Sequence, residues 1–497
     1  MEILQSCYAL LKKMDMGQMA NTVYDTAWVA RLGDLDKQLS GEALDWICAN
    51  QLEDGSWGAN SPFYYHDRVI CTLAAMIALT ETGRRAQDRR QIESGKIALD
   101  RIANKATKGL TLDPAGPTVG FEMIAPTLLA EAEASGIIES QGQHILGRLA
   151  GQRSTKLTLL KGRMISRSIT VAFSAEMAGS DGSRLLDVEN LPEANGSIGH
   201  SPSATVYYLK NVAPTDEKAL NYLRTITTNK GVPDLTPFDL FERVWVLWNL
   251  AQSSCSDKEM IALCQPHLDY IQAAWAAGEG IGFSTGYTPK DADNTIVGYD
   301  LLLRFGREAD LKAVLSYEED KFFRCYQFES HPSIGVNIHA LSALRQAGFG
   351  VEYPSIDKII QFLRRTQVVG AYWFDKWHVS PYYATSHAIL AAAGYADELV
   401  NNSIDWMLRT QNEDGSWGFY LPTVEETAYC LQALITWKKY GRQVPDEKMS
   451  LAINWLINHM ELPRPPLWIG KCLYYPEYIV ESAILSALLL ASTFYEI

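Results

Sequence analysis

Two aspartates separated by a single residue, Asp291 and Asp293, are the side chains in this sequence that most directly suggest chemistry. Two neighbouring carboxyl groups do not easily ionise together, so one of them tends to keep its proton. A protonated, well-placed aspartate is a Brønsted acid. In the structural interpretation, Asp291 is instead the N-cap of the helix that follows. Taken alone, the pair is better explained as a helix cap. The motifs in the rest of the chain favour the acid instead.

The elements around the pair indicate how it is held. A glycine-rich, loop-like stretch at 278–283 precedes it and a helical run at 295–305 follows, which predicts a helix N-terminus at the edge of a cavity. Elsewhere, apolar residues recur at three- and four-residue steps, as in Leu431, Leu434 and Ile435. Strand-like alternation is scarce, and no strand is followed by a glycine-rich nucleotide loop. The pattern predicts an all-α protein built from helical hairpins.

Composition excludes several classes of function. The chain has 497 residues, enough for two or three domains, and a net charge of −14 without a basic patch, which argues against nucleic-acid binding. Its eight cysteines form no CxxC pair, so neither a zinc cage nor a disulfide framework is indicated. Residues 1–19 lack a signal-peptide layout, and the apolar run at 483–492 is too short for a transmembrane segment. We therefore expect a cytoplasmic protein with reduced thiols.

An internal repeat divides the chain. Residues 44–58 match residues 404–418, and both copies read as a helix ending in glutamine, an Asp-Gly turn and a tryptophan. Aspartate bonds its own backbone and glycine accepts positive φ, so the turn has a physical basis. Two clear copies so far apart predict two homologous helical domains. We place the boundary in the polar stretch at 253–257.

Several short motifs are spread over the chain: YDTAWVA at 24–30, both QxxDGSWG copies, VGFE at 119–122, SPSAT at 201–205, the DxD element and DKWH at 375–378. Together they resemble the bacterial class II diterpene cyclases, the group that includes tuberculosinyl (halimadienyl) and kolavenyl diphosphate synthases. The resemblance implies two α/α-barrels, called β and γ. Residues 1–19 would be the first helix of the β domain, 20–254 the inserted γ domain, and 255–497 the rest of the β domain.

The resemblance also implies roles for the acid residues. The family motif is DxDD and this chain has DxDN. Asp293 matches the general acid, Asp291 would help to hold the proton, and Asn294 replaces the last carboxylate with an uncharged amide. Asn337 matches a position that hydrogen-bonds the acid; a buried amide satisfied by backbone is the equally weighted alternative.

Other matched positions concern the end of the reaction and the cavity wall. His200 matches a residue that helps a water remove the last proton, and Asp234 stands where copalyl-type members have asparagine, so a His–Asp pair is expected; a structural histidine is the alternative. Aromatic faces stabilise carbocations without acting as nucleophiles. We expect part of the wall to come from Trp373, Trp377 and Tyr382.

A diphosphate group requires cations. Lys376 matches a family lysine that contacts it, and Arg163 and Arg167 are further candidates, with a solvated charged face as the alternative. Glu122 would help to place Mg²⁺ beside the diphosphate, with a structural salt bridge as the alternative.

These matches together predict cyclisation of geranylgeranyl diphosphate to a bicyclic diphosphate of halimadane or clerodane type, such as tuberculosinyl or kolavenyl diphosphate. A copalyl- or drimenyl-type product stays open. Because the chain has no DDxxD motif, the product should keep its diphosphate and pass to a class I terpene synthase or a phosphatase-type enzyme. The alternative hypotheses are a squalene-type triterpene cyclase, a protein prenyltransferase β-subunit and a non-catalytic helical-toroid binding module. A homodimer is one option for the assembly.

Overall fold

The computed structural model describes residues 2–109, 112–139, 149–327, 329 and 331–495. This part of the chain folds into 21 α-helices, four 3₁₀ segments and one two-stranded hairpin. None of the described helices combines the length and the apolar character needed to cross a bilayer. The prediction of an all-α protein with two barrels is confirmed.

The first barrel is closed by a ring of five helical segments. Its inner members are α2, α4, α6, the 3₁₀ segment Thr170–Asp181 and α9, each contacting the next, with α9 returning to α2. The elements in chain order are α2 (Val23–Ala30), 3₁₀ Gly33–Leu35, α3 (Lys37–Ala49), α4 (Tyr65–Thr82), α5 (Ala86–Gly109), α6 (Phe121–Ala134), α7 (Leu149–Leu159), 3₁₀ Thr170–Asp181, α8 (Gly182–Leu185), 3₁₀ Val188–Asn190, α9 (Pro202–Asn211) and α10 (Glu217–Ile226).

The second barrel is closed by six inner helices, α11, α13, α15, α17, α19 and α21, each packed on the next and α21 on α11. Its elements are α1 (Glu2–Lys13), α11 (Asp239–Gln252), α12 (Lys258–Ala273), α13 (Ala292–Arg304), α14 (Leu311–Leu315), α15 (Ile334–Gln346), α16 (Pro354–Thr366), α17 (Pro381–Ala392), 3₁₀ Asp397–Leu399, α18 (Asn401–Arg409), α19 (Val424–Lys439), α20 (Asp446–Asn458), strands β1 (Trp468–Ile469) and β2 (Leu473–Tyr474), and α21 (Glu477–Ala491).

Residue pattern decides which helices lie inside. In α21 nearly every residue from Ile479 to Ala491 is buried, so the helix suits an interior position with neighbours on all sides. In α16 the buried residues, among them Ile356, Ile359 and Leu363, form one face, as expected for an outer helix. The inner ring therefore collects the most apolar helices, and polar side chains buried on it, such as those of His339 and His387, stand out.

Along the chain, the change from the hydrophobic core of the first barrel to that of the second barrel falls between Val232 and Phe238. Helix α11 belongs to the second core, where it packs on α13 and α21. The predicted boundary at 254 therefore comes one helix too late: the polar stretch that follows α11 is a loop within the second barrel. Helix α1 also packs in the second core, against α12 and α21.

The tryptophan repeat fastens outer helices to inner ones. Trp57 and Trp417 each donate their indole N–H to a carbonyl ten residues earlier at 2.8 Å, and their backbone N–H to a threonine hydroxyl on an inner helix at 3.0 Å. Trp373 makes the same two bonds, at 2.9 and 3.1 Å. Residues 367–373 are thus a third copy, which sequence comparison missed because it lacks the Asp-Gly-Ser turn.

Candidate active site

The acid motif lies at the N-terminus of inner helix α13. Asp291 is its N-cap and accepts the backbone N–H of Asn294 at 2.8 Å, while the Asn294 amide donates to both carboxylate oxygens at 3.0 Å. Burial, and to a smaller extent the neighbouring charge of Asp293, raise the pKa of Asp291 to about 7 against the opposing effect of the Asn294 hydrogen bonds. The structural and chemical interpretations of Asp291 therefore hold together: it caps the helix and keeps its proton near neutral pH.

Asp293 lies in the first turn of α13 and is partly open, with 15% of its side chain exposed. Its Oδ1 is 2.6 Å from Nδ1 of His339 on α15, and Nε2 of His339 is 3.0 Å from Nδ1 of His387 on α17. Burial and the neighbouring histidines hold the pKa of His387 well below its usual value, so it is neutral. Three adjacent inner helices thus contribute one continuous hydrogen-bonded chain.

The proton positions in this hydrogen-bonded series follow from its last nitrogen, Nε2 of His387. Nε2 of His387 is buried and has no partner among the described residues. A bare ring nitrogen is more easily left unpaired in a protein interior than an N–H, so the proton of His387 is on Nδ1. Nδ1 of His387 then donates to His339, and Nδ1 of His339 donates to Asp293. This arrangement points a donor at the acid and stabilises the carboxylate that remains after proton release.

Four aromatic residues contact the two histidines: Trp245, Trp248, Tyr383 and Tyr429. Trp468 packs on Trp245 and Tyr383, and we call these five residues the aromatic wall. Ring centres lie 5.0 Å apart for Trp245 and His339, and 4.4 Å apart for Tyr383 and His387. All five are at most 2% exposed. The acid chain is therefore embedded in a dry, electron-rich interior, where its interactions are stronger than in water.

Asn337 does not contact the acid. Its amide oxygen accepts the backbone N–H of Phe323 at 2.8 Å, and its amide nitrogen donates to the carbonyls of Phe323 and Ser333. It fastens a loop to α15 as the threonine hydroxyls do after the repeat tryptophans. The structure therefore supports the backbone-satisfied alternative and gives the acid-bonding position to His339, two residues further along the helix.

The predicted pair of His200 and Asp234 is not formed. Nδ1 of His200 donates to the Pro237 carbonyl at 2.9 Å, which leaves Nε2 as a bare acceptor without a partner among the described residues. Burial lowers the pKa of His200, so the ring is neutral. It lies against Phe283 and Tyr287, on the loop that leads into the acid helix. Asp234 faces the backbone of Lys471 instead.

The three aromatic residues predicted for the wall lie outside it. Trp373 bonds the end of α16, and Tyr382 stacks on Trp406 of outer helix α18, with ring centres 4.8 Å apart. Consecutive helical residues point about 100° apart, so Tyr383 faces the interior while Tyr382 faces outward. Trp377 packs edge-on against Tyr326, beside the acid loop.

The predicted diphosphate ligands lie in two places. Lys376 is ion-paired with Glu329 and donates to the His331 carbonyl at 2.9 Å. Arg163 lies on the exposed loop after α7, whereas Arg167 borders an open cleft of about 600 Å³ between the barrels. Lys218 and Lys290 share this cleft with the carboxylates of Glu193 and Asp216. The sequence candidates do not converge on one anion site.

Glu122 is engaged as a structural carboxylate. It is buried in the first turn of α6 and pairs with Lys156 at 3.0 Å. Mg²⁺ needs several oxygen ligands in octahedral geometry, and among the described residues no second carboxylate joins Glu122 in a metal-binding cluster. The contact of Glu122 with Lys156 fits the salt-bridge alternative.

Comparison with known proteins places this geometry in a family. The chain is 46% identical over 493 residues, 98% of each chain, to "Type B diterpene cyclase" of Mycobacterium tuberculosis. The chain therefore belongs to the class II diterpene cyclases. It is also 29% identical to ent-copalyl diphosphate synthase of a Streptomyces species, over 95% of this chain and 92% of that one. The structure matches ent-copalyl diphosphate synthase from Streptomyces platensis with a TM-score of 0.79, 29% identity and 99% coverage of both chains. Residues 326–433 match the squalene-hopene cyclase C-terminal domain.

Membership in the class II diterpene cyclases removes the support for a prenyltransferase subunit or a binding module. It also gives a context for the residues that sequence reasoning missed. His339 and His387 lie on inner helices, and Trp245 and Trp248 are three residues apart on one face of α11. That spacing is visible in the sequence, but it does not distinguish a cavity wall from ordinary core packing.

Proposed function

We propose that this diterpene cyclase protonates the terminal alkene of geranylgeranyl diphosphate with Asp293 and closes two rings, leaving the diphosphate in place. The observation that carries the proposal is the 2.6 Å contact between Asp293 and His339 inside the aromatic wall. An alkene is a very poor base, so proton transfer requires an acid whose conjugate base is stabilised as it forms. The N–H of His339 is placed to do so.

Charge is expected to move in a defined order. The proton leaves Asp293 for the terminal alkene carbon, the carboxylate is held by Nδ1 of His339, and the cation develops on the substrate. The faces of the aromatic wall attract that cation without bonding to it. Below its pKa of about 7, Asp291 is neutral and adds no second negative charge beside the acid that would oppose proton release.

The cascade ends when a base removes a proton. His200 is proposed for this role because it is neutral and its buried Nε2 has no hydrogen-bond partner among the described residues. Its orientation is fixed by the Pro237 carbonyl rather than by a carboxylate. The role differs from the predicted His–Asp pair.

The product skeleton is proposed from relatedness. Identity to the type B diterpene cyclase is 46%, against 29% for ent-copalyl diphosphate synthase. A rearranged halimadane or clerodane diphosphate, of tuberculosinyl or kolavenyl type, is therefore favoured over a copalyl product. Such a product still carries its leaving group, so a class I terpene synthase or a phosphatase-type enzyme would consume it. Mg²⁺ would act as a counter-ion of the diphosphate, and a cytoplasmic homodimer completes the proposal.

Incubating the purified protein with geranylgeranyl diphosphate and Mg²⁺, followed by phosphatase treatment and mass spectrometry, tests the function. Asp293→Asn is the matched variant because it keeps the size of the side chain and removes the acid. A bicyclic alcohol that is lost in the variant supports the proposal. Turnover only of a C15 or C30 substrate would contradict the substrate, and equal activity in the variant would contradict the acid.

A further inference from the structure

A hairpin of the second barrel enters the interior of the first. Strands β1 and β2 lie in the sequence between α20 and α21, yet Cys472 at the tip packs in the core of the first barrel. Lys471, beside it, is fully buried. Burying an ammonium group is costly unless every donor finds an acceptor, so this lysine requires an explanation.

The Lys471 ammonium finds a complete set of partners. Its Nζ lies 2.7 Å from each of three acceptors: Oε1 of Glu176, Oγ of Ser201 and Oγ of Ser203. We call these three residues of the first barrel the socket. An ammonium has three N–H donors, so the match is one to one. The contact is therefore a specific seat for a lysine and not an incidental burial.

The sequence motifs of the first barrel build this seat. In the stretch at 24–30, Tyr24 donates to Glu176 at 3.0 Å and Asp25 accepts the backbone N–H of Ser203 at 3.1 Å. The stretch at 201–205 supplies both socket serines.

The hairpin backbone is bound as well. In the stretch at 119–122, the N–H of Val119 donates to the carbonyl of Gly470 at 2.7 Å. The N–H of Leu473 donates to Asp67 at 2.8 Å, and that of Lys471 donates to Asp234 at 3.1 Å. Three of the stretches that carry the family resemblance, at 24–30, 119–122 and 201–205, thus converge on the tip of one hairpin.

Buried charge makes the lysine central to this region. A carboxylate oxygen of Asp25, one of Asp234 and the thiol of Cys472 lie within 4.8 Å of one another, and all three residues are buried. Burial raises the pKa of Asp25 to about 6 and that of Asp234 well above its usual value, while the charge of Lys471 lowers both. The lysine therefore stabilises the ionised forms of these two aspartates.

The base of the same hairpin lies in the aromatic wall. Trp468, three residues before the lysine, has its ring centre 5.9 Å from Trp245 and 5.2 Å from Tyr383. Its indole N–H donates to Glu425 of α19 at 2.8 Å. The hairpin connects a seat in one barrel with the wall around the acid in the other.

We propose that Lys471 is a positioning residue: by seating the hairpin in the socket it fixes Trp468 in the aromatic wall and so controls how the carbocation partitions among products. The effect of Lys471 on the product distribution rests on the proposed function, whereas its effect on the position of the hairpin does not. A wall residue held from both barrels cannot shift without breaking either the seat or the bond to Glu425. Loosening the seat leaves Asp293 and His339 untouched, so it should alter product choice more than proton transfer.

The double variant Lys471→Met, Glu176→Gln tests the inference, because it removes the Lys471–Glu176 ion pair as a unit and does not leave Glu176 as a charge without its partner. Lys37→Met, Asp34→Asn is the matched control, since that ion pair is almost fully exposed on the surface. In the test variant, amide hydrogen exchange in residues 468–474 should become at least about tenfold faster. The fraction of early-quenched products, either linear alcohols or products of premature proton loss, should rise several-fold. The control should match the wild type in both measurements.

A Trp468→Phe background shows whether the lysine acts through the tryptophan. Adding the double variant there should change the product ratio little further, because non-additivity marks residues that act as a unit. A product ratio equal to wild type in the double variant, or unchanged exchange in the hairpin, would overturn the proposal. If the double variant does not fold, Ser203→Ala removes one acceptor and should shift both measurements in the same direction; no shift would overturn it too. A wild-type protein that turns over no prenyl diphosphate would refute the proposed function, and hydrogen exchange would still decide the seating.

Discussion

Replacing His339 with phenylalanine would remove the donor to Asp293 while keeping an aromatic ring of similar size. The ring should still pack edge-on against Trp245, whose centre lies 5.0 Å away in the native protein. The lost contact is the 2.6 Å bond from Nδ1 to Oδ1. The variant thus tests whether this bond makes the carboxyl group a strong enough acid.

The size of the effect follows from the strength of that bond. A hydrogen bond to a charged group contributes about 1.5–3 kcal/mol. The bond is strongest when Asp293 has become a carboxylate, so most of this energy should appear in the barrier to proton transfer. At about 1.4 kcal/mol per factor of ten, kcat should fall roughly 10- to 150-fold. Asp293→Asn should lose more, since it has no proton to give.

The assay is single-turnover conversion of geranylgeranyl diphosphate, with thermal unfolding measured alongside to show that the variant is folded. His387→Phe is the matched control. It removes only the second bond of the chain, so its kcat should fall less than that of His339→Phe. A folded His339→Phe variant within a factor of two or so of wild type would refute the reasoning, because the bond would then contribute nothing to the acid. An effect of His387→Phe as large as that of His339→Phe would refute the ranking.

Four further outcomes are expected. The pKa of Asp291 near 7 means that kcat should decline as pH rises through about 7, because an ionised Asp291 opposes proton release; in Asp291→Asn this limb of the pH–kcat profile should disappear, and an unchanged limb would exclude the role. His200→Phe should retain substrate consumption but change the position of the final double bond or yield alcohols, as read by mass spectrometry; an unchanged product would assign the base elsewhere. Trp417→Phe should lower the free energy of unfolding by about 1–3 kcal/mol in a urea titration while leaving the product unchanged, because its indole bond fastens an outer helix. Lys376→Ala should raise KM for the diphosphate more than it lowers kcat; equal KM in the steady-state assay would remove it from the diphosphate site.

Local sequence determined the helices, the caps and the class of chemistry. The three- and four-residue periodicity predicted an all-α protein, and Asp291 is both the predicted helix cap and a carboxyl group that keeps its proton. These features depend on residues within one or two turns of each other, where spacing alone fixes geometry. The repeats at Gln51 and Gln411 were read correctly for the same reason.

Tertiary structure decided which side chains share the interior. His339 meets Asp293 across 46 residues, and Lys471 meets the socket across 268 or more. Asn337 and Trp373 looked like site residues, yet ring closure turned one toward a loop and the other toward an outer helix. A helical sequence specifies which faces are apolar, but which apolar face meets which is settled only when six inner helices close a ring, because that choice depends on packing between residues far apart in the chain.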